Sequence, residues 1–317
     1  MIPHQLSSGD YIADRRADYA RLLFEAGDWN GAADLLRQAL ERAPAWAAGW
    51  FRLSQYEEKS GCPEAAIAAL DTVLALDPTD LFGAGLKRAV ISHGSAPNHP
   101  PSVFVERLFD DYADRFEHSL VVQLNYDLPD KLNQMLPSNP FAYVTDLGCG
   151  TGLMGERLRA RTAWLEGFDL SANMLAKAGT KGIYDHLCKA DLSLTVEGSG
   201  VFDTLPHHRA DLIVAADVMI YIGDLTSIFE IAAALAAPGA LFAFSVEDAP
   251  VGKNGEEGFH LAQSLRYAHT AAYIKSQCDR HGFEILTILR TEIRMDAGLP
   301  VPGSLVLTRS TGVPHEG

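Results

Sequence analysis

The stretch Val144-Thr-Asp-Leu-Gly-Cys-Gly-Thr-Gly-Leu-Met-Gly155 is an apolar run that reaches an acid and then breaks into closely spaced glycines. Ala142 to Leu147 has the composition of a strand, Gly148, Gly150 and Gly152 permit a tight turn, and helical spacing resumes at Leu153. A strand that turns into a helix this way brings bare backbone amides and a helix N-terminus up to a ligand. Taken alone, Gly-x-Gly-x-Gly fits a nicotinamide cofactor, another nucleotide or an ordinary loop. The flanking residues have to discriminate.

Downstream, a helix from Leu153 to Arg161 leads to the apolar run Ala163 to Phe168, which ends at Asp169. An acid at the end of a second strand can accept hydrogen bonds from both hydroxyls of a ribose, in nicotinamide and adenosyl cofactors alike. Ser171 then opens a helix as a plausible N-cap in Asp169-Leu170-Ser171-Ala172-Asn173-Met174. Residues 210 to 222 read as a fourth strand with its carboxyl end at Ala216-Asp217-Val218. Open sheets of this kind hold ligands beyond the carboxyl ends of their strands, so Asp217, Val218 and Tyr221 are expected to line the site. A helix from Leu225 to Ala236, a turn at Pro238-Gly239 and a strand from Ala240 to Val246 follow.

In this order of elements the chain resembles the class I methyltransferases, across residues 103 to 310. Three features carry the resemblance: Asp146 immediately before Leu-Gly-Cys-Gly-Thr-Gly, the series Asp169-Leu-Ser-Ala-Asn-Met174, and Ala190-Asp191-Leu192 after a third strand. It implies S-adenosyl-L-methionine as cofactor, with Asp146 near its methionine part, Asp169 and Leu170 at the ribose, Met174 near the adenine and Asp191 receiving the adenine amino group. Gly148, Cys149, Gly150, Gly152, Ala190, Leu192 and Asp217 complete the expected cofactor contacts. Cys149 is common in this loop and is not read as a nucleophile. The implied fold is a Rossmann-like α/β domain with a seven-stranded, mostly parallel sheet and an antiparallel last strand, Phe283 to Ile293 and Gly303 to Thr308 forming the closing pair.

Upstream of the loop, Val103, Phe104, Leu108, Phe109, Tyr112 and Phe116 recur at helical intervals with acids on the other faces, predicting one amphipathic helix or two short ones. Phe109-Asp-Asp-Tyr-Ala-Asp-Arg-Phe-Glu117 is similar to the helical lid of many small-molecule methyltransferases, taken here as 103 to 136, and Tyr112 and Phe116 are the aromatics expected over the cofactor. Anchoring of the helix to the core fits these two aromatics equally.

Superposing the first third of the chain on itself at an offset of 34 residues aligns Gly27 with Gly61, Ala32 with Ala66, Leu36 with Leu70, Leu40 with Leu74 and Pro44 with Pro78. Glycine ends one helix, small alanines let the next pack closely, and proline stops it. The pattern resembles the tetratricopeptide repeat, with a last helix over residues 81 to 91. A peptide-binding surface and a packing surface both follow from it, and Trp29, Trp46 and Trp50 serve either. The linker-like Ser92 to Ser102 sets the expected domains at 1–98 and 99–317. Fused to the second domain, and with Tyr221-Ile-Gly-Asp-Leu225 and Arg266-Tyr-Ala-His269, the repeats are similar to a bacterial group of predicted repeat-containing methyltransferases.

The chain has 317 residues, 47% of them hydrophobic, enough for two real cores. Its formal net charge of -15 argues against non-specific attraction to nucleic acid or an anionic membrane. Four cysteines without Cys-x-x-Cys spacing suggest neither a zinc site nor a redox pair, and the absence of an apolar leader or a long apolar run predicts a cytoplasmic protein. His207-His208 reads as a surface pair, since no further ligands accompany it, and no metal is expected.

The expected activity is methyl transfer to a small-molecule or protein acceptor. Asp217, Tyr221, His260 and His269 are the candidate catalytic groups, the two histidines lying in a segment, Glu247 to His269, whose glycines suggest a mobile loop. Two alternatives stand beside it: a binding module whose methyltransferase-like domain holds cofactor without turnover, and a nicotinamide-dependent oxidoreductase. A homo-oligomer and a protein partner for the repeats are compatible with all three.

Overall fold

The computed structural model describes residues 7–117, 126–250, 258–296 and 298–312. The chain divides into two compact units, Met1–Arg107 and Leu108–Gly317.

The first unit is helical. Helices α1 (Tyr11–Glu25) and α2 (Trp29–Leu40) form one antiparallel pair, α3 (Ala47–Lys59) and α4 (Pro63–Leu76) the next, and α5 (Ala84–Ser92) follows α4. Gly27 and Gly61 end the first helix of each pair with φ of 86° and 77°, a left-handed conformation open to glycine at no steric cost. Ala13, Ala17, Ala20, Ala32 and Ala33 are buried between the helices, which is why the repeat needs small residues there. Trp46 is buried against the Gly49 backbone, and Trp50 donates its indole N–H to the Pro44 carbonyl at 2.8 Å, so both are packing residues. Trp29 is 44% exposed.

Helix α6 (Ser102–Tyr112) leads towards the second unit. There α7 (Leu128–Met135) precedes β1 (Phe141–Leu147), α8 (Leu153–Leu158), β2 (Thr162–Asp169), α9 (Ala172–Thr180) and β3 (His186–Lys189). The chain continues through β4 (Ala210–Ala215), α10 (Thr226–Leu235), β5 (Ala236–Asp248), β6 (Phe259–Leu261), β7 (Tyr267–His269), α11 (Ala271–Arg280), β8 (Phe283–Asp296) and β9 (Leu299–Ser310).

The strands form one sheet in the order β3-β2-β1-β4-β5, all parallel, with β9 antiparallel to β5 and β8 antiparallel to β9. This is the Rossmann-like methyltransferase architecture. The order reverses between β1 and β4, so the carboxyl ends of those two strands open the crevice where such sheets take ligands. Two apolar layers sandwich the sheet, one containing Phe168, Phe229, Phe242 and Phe244, the other Leu128, Leu132, Val144 and Leu305.

Among the described residues these seven strands are joined by two more, making nine. The added pair, β6 and β7, is built from the segment read as a mobile loop: Phe259 pairs with His269 and Leu261 with Tyr267, while β7 runs parallel to the end of β5 at Glu247 and Asp248. Glycine content suggested a loop, but Phe259, Leu261 and Tyr267 are buried, and their apolar surface overrides it. Residues 251–257 of that segment, and 118–125 of the expected lid, lie outside the described residues.

Candidate functional site

The crevice begins at the glycine loop. Gly148, Gly150 and Gly152 take φ of 67°, 53° and 93°, and a Cβ at Gly148 would lie 2.4 Å from a Val218 methyl, so the turn after β1 needs glycine for both conformation and space. The Cys149 amide donates to the Phe168 carbonyl at 2.9 Å, tying the loop to β2. Its thiol is buried, which pushes its pKa well up and leaves it unsuited to nucleophilic work.

Asp169 is the hub of the loop. One carboxylate oxygen accepts from the Gly150 amide at 2.8 Å and the other from the Ser171 amide at 2.8 Å. Burial pushes its carboxyl up to about 6, against the pull of these amides. The next residue, Leu170, is half-buried, and Ser171 caps α9 by accepting from the Met174 amide at 3.1 Å, with Met174 fully buried beneath. Just after β3, Ala190 donates its amide to the Asp169 carbonyl, and Asp191 follows with one carboxylate oxygen accepting from the amide and hydroxyl of Ser193. Leu192 is buried behind it. Asp146, Asp169 and Asp191 thus stand at the carboxyl ends of β1, β2 and β3.

Asp146 is 1% exposed, and one of its oxygens accepts from the Tyr184 hydroxyl at 2.7 Å. Burial pushes its carboxyl up to about 7. The Tyr184 ring occupies a slot floored by glycine: a Cβ would lie 3.0 Å from it at Gly152, 2.3 Å from its hydroxyl at Gly155 and 2.8 Å from its ring at Gly167. Nothing local in the sequence marks Tyr184, because its partner is 38 residues away.

Over the loop lies the 108–117 segment, all within the second unit. Phe116 is the aromatic nearest the glycines, its ring 3.8 Å from where a Gly150 Cβ would be. Tyr112 is half-buried; its ring packs edge-on to Phe116 at 5.5 Å, with the Arg115 guanidinium over it. The acids of this segment are not merely solvated. Asp110 accepts from the Ser171 hydroxyl and the Asn173 amide, Asp114 pairs with Lys177 at 2.9 Å, and Glu117 pairs with Lys181 at 2.6 Å, so one face is latched to α9.

The other half of the crevice lies beyond β4 and β5. Asp217 has φ of 60°, an uncommon conformation for a residue with a side chain, and its amide donates to the Ser245 hydroxyl at 2.8 Å. Its carboxylate accepts from Arg294 of β8 at 2.5 Å, and the same guanidinium also donates to Glu247 at the end of β5. Arg294 is 4% exposed, and its Nε has no hydrogen-bond partner among the described residues. Tyr221 packs edge-on against Phe109 at 5.0 Å. Burial raises its phenol, and a hydrogen bond from Arg266 works against that rise.

The two histidines diverge. His260 lies on β6, opposite Ala268. His269, on β7, is 2% exposed, and its Nε2–H is shared between the carbonyl oxygens of Ile222 and Gly223, each at 3.0 Å. Burial lowers it to about 4. This candidate catalytic group is a donor that braces the turn after Tyr221. His207 stacks on Phe202, and His208 meets the Ala236 carbonyl. Sequence reasoning missed Arg294 and Glu247 as site residues because strands β5 and β8 bring them together only through β9.

A family model for a methyltransferase domain matches residues 120–288, more than half of the chain. The chain belongs to that family. A tetratricopeptide repeat model matches residues 23–88, in agreement with the helical first unit. Similar curated proteins include the trans-aconitate 2-methyltransferase of Deinococcus radiodurans, 42% identical over 82 residues (25% of this chain, 31% of the relative). The malonyl-[acyl-carrier protein] O-methyltransferase of Enterobacter lignolyticus is 38% identical over 74 residues (23% and 30%). The match thus spans about a third of each relative's length. Among solved structures, the [4+2]-cyclase SpnF shares the fold with a TM-score of 0.54 and 14% identity, over 68% of this chain and 97% of its own. Fold and chemistry are therefore separate questions here.

For this methyltransferase fold the implied cofactor is S-adenosylmethionine, and the residues fit it. Gly148, Gly150 and Gly152 present bare backbone in the cradle while the Cys149 and Thr151 side chains between them are buried, and Asp169 and Asp191 each retain acceptor capacity beyond the bonds they already make.

Proposed function

We propose that the second unit transfers a methyl group from S-adenosylmethionine to an oxygen atom of a small organic acid. The observation that carries the donor half is the row of three acids, Asp146, Asp169 and Asp191, at the carboxyl ends of adjacent strands beside a loop of alternating glycines. Asp169 and Leu170 would hold the ribose, Ala190, Asp191, Leu192 and Met174 the adenine, and Asp146 the methionine part. Gly148, Cys149, Gly150 and Gly152 would face the cofactor with backbone, and Phe116, with Tyr112 behind it, would cover them.

The bound cofactor supplies an electrophilic methyl on a sulfonium. What remains for the protein is to exclude water and hold the acceptor in line, an effect worth up to ~7–11 kcal/mol. Asp217, fixed by Ser245 and Arg294, and Tyr221, fixed by Arg266 and Phe109, are placed to orient the acceptor. The shifted titrations here move away from neutrality, those of Tyr126 and Tyr221 upwards and that of His269 downwards. Such a site suits an acceptor that is already ionised and needs no general base. The names of two similar proteins, a malonyl and a trans-aconitate methyltransferase, support the same acceptor class. We assign the repeats to partner or acceptor-carrier recognition, place the working boundary at residues 98/99, and locate the protein in the cytoplasm, where its four free cysteines stay reduced.

Calorimetric titration with S-adenosylmethionine and S-adenosylhomocysteine, followed by transfer of labelled methyl to a panel of small carboxylic acids, tests the reading. Both cofactors should bind, Asp169→Ala should weaken binding about a hundredfold through loss of charge-assisted hydrogen bonds, and label should appear as a base-labile ester. Binding of a nicotinamide cofactor in place of these two would overturn the donor assignment, and binding without label transfer to any acid would overturn the acceptor. Truncation of residues 1–98 should leave cofactor binding intact.

A further inference from the structure

Asp146 presents a problem of its own. A carboxylate meant to face the positively charged methionine part of the donor must be ionised, yet this one is buried, and burial favours the protonated form. The charged and titratable groups around it do not relieve this: the Asp169 carboxylate repels it, and the Cys149 thiol and the Tyr126 phenol beside it carry no positive charge. The group that counters burial is Tyr184, whose hydroxyl donates to one Asp146 oxygen at 2.7 Å.

The structure reserves space for that contact. Tyr184 lies in the connection between α9 and β3, and its ring passes over Gly152 of the loop, Gly155 of α8 and Gly167 of β2, each of which would collide with it or crowd it if it carried a Cβ. Three elements have given up side chains around one phenol. Its hydroxyl points to the single acid that precedes the loop.

We propose that Tyr184 is a positioning residue for the donor site: its hydroxyl holds Asp146 as an oriented carboxylate, with the second oxygen left for the donor's ammonium. The proposal rests on the assignment of Asp146 to the methionine part of the cofactor. Tyr184 itself does not touch the reacting atoms. It acts through Asp146, by hydrogen bonding to the charged form, which favours ionisation. With Asp146 poised at about 7, affinity for the donor is then set within the neutral range by this one hydrogen bond.

The test is the affinity for S-adenosylhomocysteine between pH 5.5 and 8.5, by calorimetry, for the full chain as wild type, Tyr184→Phe and Asp146→Asn. Tyr184→Phe keeps the ring in its glycine slot, so melting temperature and circular dichroism should stay close to wild type. The ligand's own titration is common to all three proteins and cancels in affinities taken relative to Asp146→Asn, and the coupling to Asp169 is shared by the wild type and Tyr184→Phe, whose two curves are compared directly. Relative affinity of the wild type should rise with pH through about 7 as Asp146 ionises. In Tyr184→Phe the midpoint of that rise should move up by about one pH unit, giving about fivefold weaker binding near pH 7, approaching about tenfold below pH 6, and convergence on wild type at the alkaline end.

A loss by a constant factor at every pH, or a curve superimposable on wild type, would show that Tyr184 only packs, and the proposal would fall. If Asp146→Asn binds as wild type does across the range, the assignment of Asp146 fails instead. Absence of binding by the wild type would remove the donor site altogether.

Discussion

The donor half and the acceptor half of the crevice are built on opposite plans. The donor half comes from one continuous run, β1 to β3, in which each strand ends in an acid and the acids are held mainly by backbone amides and neighbouring hydroxyls. The acceptor half is assembled from Asp217, Glu247 and Arg294, whose members lie up to 77 residues apart, and it is held by charge. A cofactor shared by a whole family can be served by backbone, which mutation does not change. An acceptor that differs between relatives is served by side chains from variable strands and turns.

The comparison predicts how each half breaks. The largest effect is expected from Arg294→Met, which leaves the Asp217 and Glu247 carboxylates facing each other without their shared cation. Loss of a buried partner should cost about 3–5 kcal/mol in urea denaturation, while the folded fraction keeps its affinity for S-adenosylhomocysteine. Equal loss of cofactor binding would mean that the halves are not separable.

The donor half should instead reveal itself through pH. The Asp146 pKa is raised from 3.8 to about 7 on folding, so the folded protein retains a proton that the unfolded chain has lost between those values. Stability from this group is complete below about pH 4 and is lost as pH rises through 7. Cofactor-free wild type should therefore fall in melting temperature relative to Asp146→Asn as pH rises from 5 to 8, by the equivalent of roughly 2–3 kcal/mol. A pH-independent difference would place the proton elsewhere.

A smaller effect, about tenfold in kcat, is expected of Tyr221→Phe, with the dissociation constant for S-adenosylhomocysteine unchanged. Movement of both constants together would put Tyr221 in the donor half. The smallest is expected at the exposed latch: the double variant Lys177→Gln and Lys181→Gln should speed cofactor release about two- to fivefold at low salt, with the gap closing at high salt. Stopped-flow measurements at two ionic strengths decide it.

Most of the donor half was legible in the residues because its logic is local. Strand, glycines and acid recur within a few positions of one another, and Ser171 caps α9 where an N-cap was read. The same holds for the repeats, where Gly27, Gly61 and the buried alanines are features of single helical turns. The antiparallel closing pair was read from family resemblance, while β6 and β7 were taken for a loop because three-residue strands carry too short a period to register. His269 looked titratable in the sequence, and only its burial against the Ile222 and Gly223 carbonyls made it a neutral brace.

By itself the sequence determined the two-part organisation, the class of sheet and the row of acids at the strand ends, since local propensity and spacing encode all three. Tertiary structure alone decided which charges meet. Arg294 finds Asp217, Tyr184 finds Asp146 and Lys181 finds Glu117 only after the sheet closes and α9 packs, because ion pairs and buried hydrogen bonds depend on distances in space that no local period records.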